Sequence, residues 1–150
     1  MKRLLFVDSR DRKDSQNVFN YTIDIENEVG VEAFRNVKCV RLKHIAFPKI
    51  KNEHYFILDI PQLNDHMDST DNAGSHRASA VVYYDKSDMP AGGLKPSFEN
   101  FEFPCTAPYP VLSKLTFIFK KYGGDVVSMN DIDTNISNGE HSMLLEIEFM

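Results

Sequence analysis

Tryptophan is absent from the 150 residues and cysteine occurs only twice. Both scarcities remove architectures. Cys39 and Cys105 cannot build a disulfide framework, and neither belongs to a C-x-x-C pair of the kind that holds zinc or exchanges disulfides. Both are expected to be core or sheet thiols. With no Trp flanked by cysteines, the core signature of an immunoglobulin domain is missing. Long apolar runs are lacking as well. The longest near the start, Leu4-Leu5-Phe6-Val7, is shorter than the roughly 7 to 15 apolar residues of a secretory signal and far short of a membrane span. The chain is therefore expected to be made and kept inside a cell, and the sequons at Asn20 and Asn135 to be accidental. Seven glycines and seven prolines exclude a collagen-like chain, while 42% hydrophobic and 26% charged residues suit one ordinary globular domain spanning 1–150.

The formal charge of -5 leaves no general basic excess for binding phosphate backbones, so nucleic acid is not an expected partner. The average hides an asymmetry. From Arg35 to Lys51 all six charged residues are basic (Arg35, Lys38, Arg41, Lys43, Lys49, Lys51). From Tyr122 onward all six are acidic (Asp125, Asp131, Asp133, Glu140, Glu146, Glu148). Two readings follow. Either both runs are solvated faces of one domain that partly neutralise each other, or they lie on different sides and meet opposite charge on neighbouring subunits, which would steer assembly.

Alternation with period two dominates the chain, and it predicts strands. Phe19, Tyr21, Ile23 and Ile25 alternate with polar residues, as do Leu115, Phe117 and Phe119, and again Met143, Leu145, Ile147 and Phe149. A slip of one residue would turn each apolar row to water, so these registers are expected to be firm. Arg3 to Val7, Tyr55 to Ile60 and Ala80 to Tyr84 read as further strands. Val37 to Phe47 reads as a strand whose apolar parity changes between Cys39 and Val40, as a bulge would produce. Val126 to Met129, after Gly123-Gly124, is the expected return arm of a hairpin. Glu28 to Asn36 is the best helix candidate and offers at most one turn. Pro104, Pro108 and Pro110 confine their stretch to an edge or an extended connection. The prediction is an all-β chain, a single jelly-roll β-sandwich of about eight antiparallel strands with long loops.

Sequence signals for chemistry are weak. Asp131-x-Asp133-x-Asn135 copies the start of a calcium loop, but Ile136 stands where the turn requires Gly and Ser142 where a bidentate Glu is required, so a capped polar turn is expected. A weakly held cation at the acidic loop Asp65 to Asp71 is a minor alternative. His44, His54, His66, His76 and His141 are scattered, with no His-x-His pair for a metal and no Gly-x-Ser-x-Gly elbow for a nucleophile. Gly92-Gly93 and Gly123-Gly124 lack a phosphate-binding context. No catalytic residue, metal or cofactor is expected.

Three segments in order, Phe6-Val7-Asp8-Ser9-Arg10-Asp11-Arg12, the alternating Asn20 to Ile25, and Val37 to Pro48, resemble the penton and minor capsid proteins of large double-stranded DNA viruses and their relatives. Pro108 to Phe119, the Gly123-Gly124 turn and Leu144 to Phe149 are similar to later strands of that family. The resemblance covers nearly the whole chain through short strand motifs. It implies a structural virion protein: a single jelly roll standing upright in a homo-pentamer at icosahedral vertices, with the major and minor capsid proteins as partners. A minor or cement protein bridging capsomers is the first alternative. A lectin-like binding module using the loops Asn64 to Ser75 and Asp88 to Pro96 is the second.

A ring contact is heterologous, one flank against the opposite flank of the next copy. The expected interface residues are Asp8, Arg10, Asp11, Arg12, Arg41 and Lys43. The sign-alternating run Asp8 to Asp14 reads either as an arm reaching a neighbour or as a solvated turn, and the guanidinium forks of Arg10 and Arg12 can hold a carboxylate with defined geometry.

Overall fold

The computed structural model describes residues 1–13, 15–30, 32–63, 80–84, 101–103, 109–132 and 138–150. Its strands are β1 (Lys2–Asp8), β2 (Asn20–Asp24), β3 (Phe34–Ala46), β4 (Tyr55–Asp59), β5 (Ala80–Tyr83), β6 (Phe101–Phe103), β7 (Tyr109–Leu112), β8 (Lys114–Lys120) and β9 (Ser142–Phe149). They form two antiparallel sheets. One has the order β1-β9-β3-β6, with β7 also paired to β3, and the other has the order β2-β8-β4-β5. Inward side chains of both sheets merge into one apolar cluster, so the chain is an all-β, antiparallel sandwich.

The alternating segments became strands in the expected registers. Leu115, Phe117 and Phe119 are fully buried, as are Met143, Leu145 and Ile147. Phe47, just past β3, ties the layers together. Its ring stacks on Phe119 at 4.5 Å between centroids and lies 4.6 Å from Phe56, both on the opposite sheet. Each fully buried side chain of this size contributes roughly 1.5–3 kcal/mol.

The parity of β3 does change, but before Cys39 and not after it, so that Cys39 faces outward, and a second shift follows. Pairing with β9 shifts between Val37 and Cys39 and again between Leu42 and His44. These irregularities let Val37, Val40, Leu42 and Ile45 all point inward, although a regular strand would send Val37 and Ile45 to the other face.

Two local expectations need correction. The helical turn lies at Ile25–Val29, is π-type, and is closed by Gly30 at φ 76°, whereas Phe34 to Asn36 begin β3. Phe34 is buried, and its pairing with Leu112 of β7 outweighs the weak helical tendency of this segment. The return arm after Gly123-Gly124 shrinks to a single bridge between Lys120 and Val126, because a 3₁₀ turn at Met129–Asp131 redirects the chain. Ile57, inside the continuously apolar β4, is almost completely buried without joining the central cluster, and Asp59 beside it is buried too. Of the proline-bearing stretch, Pro110 is described. It sits in β7, at the sheet margin on β3, where a missing N–H is tolerated.

On the outer face of the second sheet, the Thr22 and Thr116 hydroxyls lie 2.9 Å apart. Gln62 donates to Thr116 Oγ1 and accepts from its backbone N–H, both at 2.8 Å, so a side-chain amide continues the ladder where β4 has ended. This contrast between faces sets an expectation for chemical denaturation. Phe117→Ala should cost about 3–5 kcal/mol, whereas Thr116→Ala should cost about 1 kcal/mol.

Candidate assembly surface

The six residues expected at an interface fall into two clusters along β9. Asp8 is in register with Ser142, and Arg41 with Glu146.

At the first cluster, Asp8 ends β1 and caps the 3₁₀ turn Ser9–Asp11. Its carboxylate accepts the Arg10 backbone N–H at 2.9 Å and the Arg10 guanidinium at 3.0 and 2.6 Å. The hydrogen bond from Arg10 holds Asp8 below the usual carboxylate range. Asp11 is exposed at the end of the turn. Arg12 folds back: it donates to the Ser9 carbonyl at 2.7 Å, the Gln16 carbonyl at 3.1 Å and both Glu140 oxygens at 3.2 Å. Asp8 to Arg12 thus form a turn closed on its own chain; Asp14 lies outside the described residues. Arg10, with 73% of its side chain exposed, projects from the turn, and Asp11 and Lys13 are exposed beside it.

Beneath this turn lies a buried polar knot that the sequence did not reveal. Ser9 has no exposed surface; its hydroxyl donates to the Glu140 carboxylate and accepts the His141 backbone N–H at 2.8 Å. His141 Nδ1 lies 3.0 Å from the Gly139 carbonyl, which can only accept, so Nδ1 carries the proton and Nε2 accepts from Tyr21 Oη at 2.9 Å. The serine hydroxyl therefore meets the histidine backbone and not its ring, so the ring is not positioned to activate it. Burial among Phe47, Phe119 and Tyr21 lowers the His141 pKa to about 4, and burial pushes that of Tyr21 up. Gly139 is required at the approach to this knot. Its φ is +81°, and a Cβ would stand 2.8 Å from Phe19 Cζ.

At the second cluster, Arg41 is the hub of the outer face of β3. It donates to Glu102 on β6 at 3.0 Å, and to Glu146 and Glu148 on β9 at 3.0 and 2.6 Å. Lys43 and Lys2 approach Glu146 at 4.0 and 3.7 Å, and Lys38 approaches Glu148 at 3.6 Å. The hydrogen bond from Arg41 holds Glu148 down to about 2, and Cys39, buried on the same face with its thiol 3.6 Å from Glu148, is raised by burial to about 11. Lys38, Arg41 and Lys43 of the basic run and Glu146 and Glu148 of the acidic run therefore do not lie on opposite sides of the molecule: they neutralise each other within one chain, because β3 and β9 pair. Glu102 and the β9 glutamates are the partners that sequence reading missed. Their outward parity was visible, but not which strand would lie beside them.

The acidic Asp131 accepts from Ser128 N at 2.8 Å, from Ser128 Oγ at 3.0 Å and from Lys121 Nζ at 2.9 Å, which makes it part of a capped turn. Asp133 and Asn135, the acidic loop Asp65 to Asp71, the two proposed lectin-like loops and Cys105 lie outside the described residues. Among the described residues no group of three or more His, Cys, Asp or Glu side chains is placed to hold a metal, and no helix is long and apolar enough to cross a membrane. No known family model matches the chain, and no curated protein matches it.

Two pH dependences follow. A histidine depressed to about 4 leaves the unfolded state holding more protons between that value and 6.5. Stability from His141 is thus complete above pH 6.5 and falls by about 3 kcal/mol as pH drops through 4; His141→Gln should remove that slope in denaturation curves. Glu148 is likewise depressed, so its contribution is complete above about 4.5 and is lost toward 2. In Arg41→Gln, carboxyl NMR titration should show Glu148 moving up toward 4.5.

Proposed function

We propose that this chain is a single-jelly-roll capsid subunit, the penton of a large double-stranded DNA virus or a relative, with a structural and not a catalytic role. The observation that carries the reading is the nesting of its strand pairs. β1 pairs with β9, β2 with β8, β3 with β6 and β7, and β4 with β5. That is one long antiparallel ribbon, whose two arms run from β1 to β4 and from β5 to β9. The remaining pairings, β9 with β3 and β8 with β4, are those made when such a ribbon is rolled on itself into two sheets. Rolling a ribbon in this way generates the two Greek keys of a jelly roll.

The same order supports a building-block role. The polar inventory is largely spent on the chain's own framework: Arg41 fastens three strands, and Arg12 and Ser9 fasten the turn after β1 to the start of β9. What remains outward is a solid body with distinct flanks, the kind of unit that closes into a ring by heterologous contacts. Arg10 and Asp11, on the turn after β1, and Lys43, one-third exposed, are the polar groups offered to a neighbour. The sequence resemblance is to penton and minor capsid proteins alike, and the penton is the first reading because a closed ring uses both flanks of the subunit.

Native mass spectrometry of the purified chain, with class averages by electron microscopy, tests the reading. The expected species is a fivefold ring, or multiples of it, built from 17.2 kDa subunits. A chain that stays monomeric at all concentrations and binds glycans on an array would overturn it.

A further inference from the structure

β1 is a margin of its sheet: among the described strands only β9 pairs with it. Which of its backbone groups face β9 follows from two bonds. Met1 O accepts from Phe149 N, and Ser9 N donates to His141 O, both at 2.9 Å. Bonding alternates along an antiparallel pair, so the odd residues point their N–H and C=O at β9. The even residues Lys2, Leu4, Phe6 and Asp8 point theirs at the free edge. Those same residues carry the outward side chains, and Leu4 and Phe6 are each 65% exposed. Natural edge strands are normally short, bulged, or guarded by proline or an inward charge. β1 has seven residues in an unbroken register and its centre is Leu-Leu-Phe-Val.

The outward row reads Lys2, Leu4, Phe6, Asp8, and it is complementary to its own reverse. Place a second β1 antiparallel beside the first, centred on Leu5. Lys2 then stands opposite Asp8 of the other copy, and Leu4 opposite Phe6, and all four are the hydrogen-bonded positions. Shifting the second strand by two residues either way loses this match, since Lys2 then meets Phe6 or Leu4 meets Asp8. Opposite charges and apolar pairs directly across a ladder are the favourable cross-strand combinations.

We propose that β1 is a two-fold docking edge for a second copy of this chain, joining two sandwiches through one continuous sheet. The inference rests on the edge and not on the capsid reading. A two-fold contact cannot close a fivefold ring, so it links chains of different rings or acts without any ring.

Leu4→Pro tests it directly, because that residue's N–H faces the free edge. Proline there leaves the β1–β9 bonds intact while removing two donors per dimer. Sedimentation equilibrium should show dimer affinity falling roughly tenfold or more, with Leu4→Ala, which keeps the N–H, weakening it less. Circular dichroism should show the Leu4→Pro monomer folded. Should that variant unfold, Phe6→Lys at an exposed position supplies the same readout. Register is tested by mixing Leu4→Cys and Phe6→Cys chains under mild oxidation. Paired Cα atoms about 5.5 Å apart allow a disulfide between positions 4 and 6 of different chains. That heterodimer should form in preference to either homodimer. A wild-type chain with no two-fold association, or one whose association ignores both Leu4→Pro and Phe6→Lys, overturns the proposal, as does preferential 4–4 or 6–6 linkage. A fivefold ring indifferent to these changes overturns only the edge pairing. A two-fold dimer with no ring supports the edge and overturns the penton.

Discussion

Both faces of β9 are committed. Inward, Met143, Leu145 and Ile147 are fully buried; outward, Glu146 and Glu148 receive the guanidinium of Arg41. A one-residue slip would put two carboxylates into the core and three apolar side chains into water, a penalty of the same order as the roughly 5–15 kcal/mol by which whole domains are stable. Because β1 and β3 flank this strand, its register sets theirs. The Arg41 hub and the turn at Asp8 are consequences of that single alignment.

The two bulges of β3 show how the alignment is kept without loss of burial. A regular strand of 13 residues would have to expose part of its apolar set. By shifting register twice against a straight β9, β3 buries Val37, Val40, Leu42 and Ile45 and still presents Arg41 and Lys43 to water. The price is local: Cys39 and Arg41 share a crowded outer strip where an ionised thiol is disfavoured and the carboxylates stay charged.

Polar side chains in this protein chiefly close the framework. Ser9, His141 and Tyr21 are hydrogen-bonded in a buried chain of contacts, and Gln62 finishes a ladder that its strand leaves incomplete. Among the described strands β1 is paired on one side alone, and the exposed Leu4 and Phe6 along its other side direct attention to association there.

Period-two alternation by itself determined that residues 20–24, 115–119 and 143–149 are strands and which of their side chains face inward, because burial of alternate residues is a local property of a pleated chain. It also signalled a parity break in β3, though not its position before Cys39 nor the second shift after Leu42. The residues of the assembly surface were legible one by one, since Asp8, Arg10, Arg12, Arg41 and Lys43 announce themselves by charge. Their partners were not. That Arg41 would be bound by Glu102, Glu146 and Glu148 depended on β3 lying between β6 and β9, a pairing across 61 to 107 residues that no local pattern encodes. Only the tertiary structure decided it, because strand neighbours are chosen by how the whole ribbon rolls to cover its apolar faces, and the same choice left β1 at the edge.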